Sequence, residues 1–363
     1  MIADPRVFDD GWLPRRLQHR DQAVTQLSRL LKPALTDARA EDVLLHGPSG
    51  VGKTVLARHT LDRLQERAIV PYAHVRCLGK STGGVLLRAL EKLPVNANVH
   101  RGLSIDERTQ LLANAVDGAA VLILDEADDL HETEVLDAVA NAPGVSAIVI
   151  IHDRDEWLAR VDEQHHRRFG GDHQIGLERY GVDELADILE SRADHGLTNF
   201  GWDRDLLEHI ADDVAGVARR GIQTLRASAE VAEERDHAGI TDIDVVAGHE
   251  RAREQIRESN LDSLPFHHQV LYELIRAEGS AGIDAGELHR RYDALAGQIY
   301  DDFQRPIGER ARRNKLQKLR DYDLIETVDG GSALRHVATD SSLPSPVDAL
   351  AEVDMAAEIT PHS

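Results

Sequence analysis

The 363-residue sequence has one cysteine, Cys77, only six lysines, and 4% aromatic residues. A lone cysteine excludes an internal disulfide and a cysteine-based zinc cluster. No apolar run approaches the ~18 residues that a membrane-spanning helix needs. The first residues, Met1-Ile2-Ala3-Asp4-Pro5-Arg6, lack the basic start and apolar stretch of a secretory signal. These absences predict a soluble, cytoplasmic protein with no membrane partner. The shortage of lysine stands beside an excess of acid: 42 Lys+Arg against 64 Asp+Glu, a formal net charge of -22. Taken alone, that charge repels phosphate and argues against a nucleic-acid partner. Many carboxylates with few lysines suit a very salty cytoplasm, where a Debye length of ~3 Å at 1 M removes self-repulsion. The composition therefore reads as halophilic adaptation. A hydrophobic fraction of 42% excludes global disorder. At ~150 residues per domain the length suits two or three domains.

What is present begins with a phosphate-binding pattern. Val43-Leu44-Leu45-His46 reads as a buried strand. It runs into Gly47-Pro48-Ser49-Gly50-Val51-Gly52-Lys53-Thr54, then a helix-like stretch from Val55. This is G-x-x-x-x-G-K-[ST]. Its glycines let backbone N–H groups turn toward phosphates, and the helix N-terminus adds a positive dipole end. The pattern predicts ATP on residues 47–55, with Lys53 at the β- and γ-phosphates and Thr54 on Mg²⁺. A second strand, Val121-Leu122-Ile123-Leu124, ends in Asp125-Glu126. Asp125 is placed to hold Mg²⁺ through water, and Glu126 to polarise the attacking water. Asp125-Glu126-Ala127-Asp128 spells the box of one helicase class, but no second helicase lobe follows. The β-branched strand Val145 to Ile151 leads to His152 or Asp153, where a polar residue can sense the γ-phosphate. Alternating strands and helices predict an α/β domain with a parallel sheet and the nucleotide at the strand C-termini.

Strand signals stop near Gly181. Residues 182–194, 203–215, 218–234 and 242–259 read as helices. Gly216-Val217-Ala218-Arg219-Arg220 opens the third, and Arg219 is placed to meet the γ-phosphate and report nucleotide state to an all-α lid.

The C-terminal part reads as three helices and a hairpin, over 264–277, 285–296, 305–320 and 325–337. That order predicts a winged helix. Over residues 304–320 seven bases, Arg305, Arg310, Arg312, Arg313, Lys315, Lys318 and Arg320, face one acid, Glu309. At about 100° per residue, Leu316 and Leu319 turn to a core, while Arg310, Arg313, Asn314, Gln317 and Lys318 share the opposite face. Arg, Asn and Gln can pair bidentately with base edges in the major groove. This face is the candidate DNA reader, with Arg335 on the wing near a phosphate or the minor groove. The predicted organisation is 1–178 for the nucleotide-binding domain, 179–260 for the lid, 261–338 for the winged helix and 339–363 for an acidic, disordered tail.

Together these motifs resemble the archaeal initiators of the origin-recognition and cell-division-control (Orc/Cdc) type, members of the AAA+ ATPases. The likeness rests on Val7-Phe8-Asp9, Leu13-Pro14 and His19-Arg20-Asp21 before the P-loop, on Gly47 to Thr54, Leu124-Asp125-Glu126 and Gly216 to Arg220, and on Leu261-Asp262-Ser263-Leu264-Pro265. It runs from about residue 6 to 338. The resemblance implies ATP-controlled binding of double-stranded origin DNA and recruitment of an MCM-type replicative helicase. It also implies paralogous initiators as partners and a nucleoid-associated location. Two departures stand out. His152 occupies a sensor position where the family has Asn. Gln164 stands where the family has an Arg that reaches a neighbour's ATP, leaving Arg160, Arg167 or Arg168 as substitutes. Both changes bear on hydrolysis more than on binding, and slow hydrolysis is expected. A DNA-binding AAA+ regulator or transposition-type helper, and a signalling NTPase whose winged helix binds protein, are the alternatives on sequence alone.

Overall fold

The near-continuous Val/Ile/Leu strands leave no polar face for solvent, and the sheet they form is covered on both sides. The computed structural model describes residues 1–130, 133–198, 201–300, 305–331 and 333–347. The chain divides into two compact units, Met1–Ala252 and Arg253–Ser363.

In the first unit the elements run α1 (Asp21–Leu31), β1 (Val43–His46), α2 (Lys53–Gln65), β2 (Tyr72–Arg76), α3 (Thr82–Lys92), α4 (Ile105–Ala113), β3 (Ala120–Asp125), α5 (Glu134–Ala140), β4 (Val145–Ile150), α6 (Arg154–Leu158), α7 (Glu163–Arg168) and β5 (Gln174–Gly176). The strands pair in parallel in the order β2-β3-β4-β1-β5. Their two-residue period splits the core. Val43, Leu45, Val121, Ile123, Ile148 and Ile150 pack on α1 and α2. Leu44, Leu122, Leu124, Ala147 and Val149 pack with Leu86 and Leu90 of α3 and Val135 of α5. Strand β5 escapes sequence reading because Ile175 is its only buried residue. The Ser104-x-x-Glu107 spacing predicts a capping box, and helix α4 starts with one, each of the two side chains taking the other's backbone N–H.

The lid follows as α8 (Val182–Gly196), α9 (Arg204–Asp213), α10 (Ala218–Glu234) and α11 (Asp242–Ser263). Its core is Leu185, Leu189, Leu207, Ile210, Leu225 and Ala229. Two residues of the N-terminal stretch join it: Val7 and the fully buried Phe8. The sequence grouped this stretch with the nucleotide-binding domain. Phe8 packs against Gly196 instead, where a Cβ would sit 2.5 Å from its ring.

The last turns of α11 belong to the second unit, where Asn260 donates to the Tyr322 carbonyl at 3.3 Å. There α12 (Phe266–Arg276), β6 (Ile283–Asp284), α13 (Ala285–Ile299), α14 (Glu309–Asp321), β7 (Ile325–Asp329) and β8 (Leu334–Ala338) form a winged helix, with an antiparallel sheet ordered β6-β8-β7. Two expectations are corrected. Helix α14 starts at Glu309 rather than 305, because Pro306 disfavours helix for Arg305 and Gly308 takes the N-cap. Residues 340–347, grouped with a disordered tail, pack on α12. The Tyr272 hydroxyl lies 3.0 Å from the Asp340 carbonyl and 2.9 Å from that of Leu343, and Ser345 and Val347 are buried. The remainder of the predicted tail, 348–363, lies outside the described residues.

Candidate functional site

Three glycines shape the loop between β1 and α2. Gly47, Gly50 and Gly52 have φ of 134°, 75° and 94°, a region that L-residues with a Cβ avoid. At Gly47 a Cβ would also lie 2.0 Å from the Leu177 carbonyl oxygen. Val51 is fully buried, Ser49 is exposed, and Pro48 and Val55 are half-buried. The Lys53 ammonium donates to the carbonyls of Gly47 (2.6 Å) and Pro48 (2.7 Å). The Thr54 hydroxyl donates to Asp125 Oδ2 at 2.8 Å. A hydroxyl beside a carboxylate is a hard oxygen donor set and fits Mg²⁺. The positive-φ loop opening a helix fits phosphate.

Asp125 closes β3. Burial pushes its pKa up, but hydrogen bonds from His74 and Thr54 outweigh that and hold it below the usual carboxylate value. Glu126, the next residue, is in the left-handed region at φ 53°, a conformation costing on the order of 1 kcal/mol and concentrated at functional sites. Arg76 grips its carboxylate, with Nε 2.8 Å from Oε2 and a second nitrogen 3.2 Å from Oε1. His152 follows β4 and is exposed. Its carbonyl accepts from the Gly47 N–H at 3.2 Å, and its own N–H donates to Asp128 Oδ1 at 2.9 Å. Its backbone thus ties the sensor position to the loop.

The lid meets the loop directly. The Arg219 N–H donates to the Gly50 carbonyl at 3.2 Å. A Cβ on Gly50 would come within 2.8 Å of Val217. The Arg219 guanidinium is 2.9 Å from Asp10 Oδ2, so the proposed sensor arginine is paired with the N-terminal stretch. Arg20 donates to the Tyr180 hydroxyl (2.9 Å) and the Glu178 carbonyl (2.6 Å), and lies over the Tyr180 ring. The sequence reading gives His74, Arg76, Tyr180 and Asp10 no role, and Arg20 enters it only within the His19-Arg20-Asp21 motif. The alternation Ala73/Val75 against His74/Arg76 on a strand beside β3 was the available signal.

In the second unit the basic stretch divides. Arg305, Arg310, Arg313, Asn314 and Gln317 are exposed, and Lys318 and Arg320 are half-exposed. Arg312 is only 4% exposed and Lys315 6%. Arg312 donates to the carbonyls of Ile307 and His289 (both 3.0 Å) and to Asp293 (2.7 Å), and lies over Tyr292. Two of the seven bases are therefore turned inward. Gln317 bonds Asp321 and Arg320 along its own helix. Arg335 is drawn back from the wing, donating to the Ala281 carbonyl at 2.8 Å.

Residues 16–175 match the AAA ATPase domain family, and residues 186–250 match the Cdc6 AAA+ ATPase-type lid domain. "ORC1-type DNA replication protein 9" of Halobacterium salinarum is 30% identical over 352 residues, covering 95% of this chain and 96% of that protein. The chain belongs to the ORC1-type DNA replication proteins. A second relative from the same organism, "ORC1-type DNA replication protein 1", is 32% identical over 77% of this chain and 92% of its own length. The Aeropyrum pernix Orc1 protein solved in complex with DNA shares the fold at a TM-score of 0.76 and 23% identity, with 99% of each chain covered.

Within this ORC1-type chain, the arginines after β4 are not equivalent. Arg160 donates to the carbonyls of Asp128 (2.8 Å) and Leu130 (2.6 Å). Arg168 is bound to the buried Asp42. Arg167 is exposed, with a 3.3 Å bond to the Glu163 carbonyl. Of the three substitutes, Arg160 and Arg167 are exposed, but the Arg160 guanidinium is held by two carbonyls. His165 is buried with Nε2 2.9 Å from Asp137, while its neighbour His166 is exposed. The adjacent pair therefore shares no face.

Proposed function

We propose that this protein is an ATP-dependent DNA replication initiator that binds origin DNA and helps recruit an MCM-type replicative helicase, alongside paralogous initiators. The observation that carries the reading is the contact of the lid segment Val217–Arg219 with the P-loop at Gly50, in a chain whose α14 presents Arg310, Arg313, Asn314 and Gln317 outward.

The residues divide the work. ATP bound as Mg²⁺·ATP supplies the charge that the site reads. The N–H groups of residues 47–55 and the α2 N-terminus receive phosphate, and Lys53 trades its two carbonyl contacts for phosphate oxygens. Thr54 and Asp125 hold the cation, and Glu126 orients water once Arg76 releases it. Arg219 leaves Asp10 for the γ-phosphate, which links nucleotide state to the lid. Turnover is slow, because Glu126 is held by Arg76 and His152 replaces the family's Asn.

On DNA, Arg313 and Gln317 read base edges, while Arg305, Arg310 and Lys318 meet phosphates. Arg335 keeps a lesser phosphate role. The acid-rich, lysine-poor surface supports work in a salty, nucleoid-associated setting, where counterion release is weak and direct readout carries more of the affinity. No helix among the described residues is long and apolar enough to cross a membrane.

The test is a footprint and genome-wide pulldown with Arg313→Ala/Gln317→Ala. Each bidentate contact is worth about 1–3 kcal/mol, so the variant loses site preference while its ATP affinity stands. Enrichment at inverted repeats beside the protein's own gene supports an initiator. Absence of any DNA enrichment sinks the DNA reading.

A further inference from the structure

We propose that His74 is a positioning residue for the Asp125 carboxylate and thereby sets how tightly the nucleotide site takes Mg²⁺. The inference rests on the nucleotide-binding reading above. Strand β2 alternates, with Ala73 and Val75 buried and Tyr72, His74 and Arg76 half-exposed on the other face. Its parallel register sets His74 beside Ile123 and Arg76 beside Asp125. His74 Nε2 lies 2.9 Å from Asp125 Oδ2. The carboxylate is acceptor-only when ionised, so Nε2 carries the donated hydrogen.

The acceptor sites of Asp125 can be followed one by one. Oδ2 receives both Thr54 and His74, at 2.8 and 2.9 Å. Oδ1 receives the Glu126 N–H at 3.0 Å. Each carboxylate oxygen has about two acceptor sites, which leaves Oδ1 with one for a cation-bound water. The terminal Asp torsion is soft and roughly two-fold. Two donors on one oxygen remove that freedom, and they fix which oxygen stays open. Asp125 is 13% exposed, so bulk water is a poor substitute for a lost donor. On the other side of His74, Lys92 donates to its backbone carbonyl and ties the strand to α3. Groups that hold a metal's direct ligands typically change its affinity by about 10–100-fold when removed; Asp125 meets the cation through water, so His74 acts one step further out and the low end of that range applies.

The test uses the full chain and a fluorescent ATP analogue at fixed concentration, with Mg²⁺ titrated from an EDTA-treated start. His74→Phe keeps the ring's bulk and removes the donor. His74→Gln puts an amide N–H near Nε2. The expected result is a half-saturating Mg²⁺ concentration raised about tenfold in His74→Phe and largely restored in His74→Gln. A merely structural His74 would lower the Mg²⁺-free affinity and leave the Mg²⁺ midpoint in place, which overturns the assignment. A midpoint that falls, showing that His74 competes with the ion, overturns it as well. If the wild-type chain takes the analogue in a Mg²⁺-dependent way and both variants match it, the nucleotide reading stands and only His74 loses its role. If the wild-type chain takes none, the nucleotide reading fails and this inference with it.

Discussion

Gly216→Ala should damage both stability and nucleotide binding far more than its backbone angle alone requires. Gly216 has φ of 74° and opens the segment that carries Arg219. Placing an L-residue in that region costs about 1–2 kcal/mol. A Cβ there would lie 2.1 Å from the Tyr180 carbonyl oxygen, which is backbone and cannot swing aside. The same two residues are joined by the Tyr180 N–H donating to the Gly216 carbonyl at 3.1 Å. Relieving the overlap therefore breaks this bond or moves the lid segment, adding roughly 1–3 kcal/mol as overpacked sites do. Gly171 is a matched control, with φ of 60° and nothing within 4 Å of an added Cβ. Gly171→Ala should cost only the torsional part. In thermal unfolding at ~2–4 °C per kcal/mol, the two variants should separate by several degrees. Gly216→Ala should also weaken binding of the ATP analogue, since Arg219 and Gly50 share a hydrogen bond. Equal losses in the two variants would refute the packing argument and leave only the torsion.

Lys53→Ala should weaken ATP binding by at least tenfold in an equilibrium titration, since charge-assisted hydrogen bonds are worth about 1.5–3 kcal/mol each. Asp244 is fully buried. Burial pushes its pKa up, but Thr241, His237 and Arg235 outweigh that and hold it at about 2, against an ordinary 3.8. A depressed carboxylate stabilises the fold above its unfolded pKa, so this contribution is lost as pH falls from 3.8 toward 2. Acid unfolding of Asp244→Asn should be flatter across that window, and a profile identical to wild type would count against the assignment. Arg312→Ala should destabilise the winged helix by about 1–3 kcal/mol in urea, because it removes a buried guanidinium's bonds to two part-buried carbonyls. Arg313→Ala should stay within about 0.5 kcal/mol, as an exposed substitution does.

The strands and helices were legible where period and caps agreed. Val121 to Leu124 and Ser104/Glu107 are such cases. The phosphate loop was legible because its chemistry demands glycine, lysine and threonine at fixed spacing. What the sequence hid were relations across distance. Nothing local shows that Arg76 binds Glu126 fifty residues on, or that Asp10 meets Arg219. Charge counting also missed burial. Arg312 and Lys315 enter the count of seven bases, yet the helical wheel leaves them off the outward face, and in α14 they are turned inward beside Leu316 and Leu319. Short pieces such as β5 and β6 carry too few apolar residues to announce themselves.

Phe8 completes the lid core beside Leu185 and Leu189, and this has a consequence for synthesis. Phe8 leaves the ribosome some ~180 residues ahead of those partners. At about 5–20 residues per second the wait is roughly 10–35 s. The parallel sheet can close during that time, since its strands end at Gly176. Phe8 cannot be buried until α8 emerges. The nascent chain thus carries an unshielded aromatic ahead of the nucleotide-binding domain while the nucleotide site is already assembling. The lid core closes when Phe8 meets helices made much later.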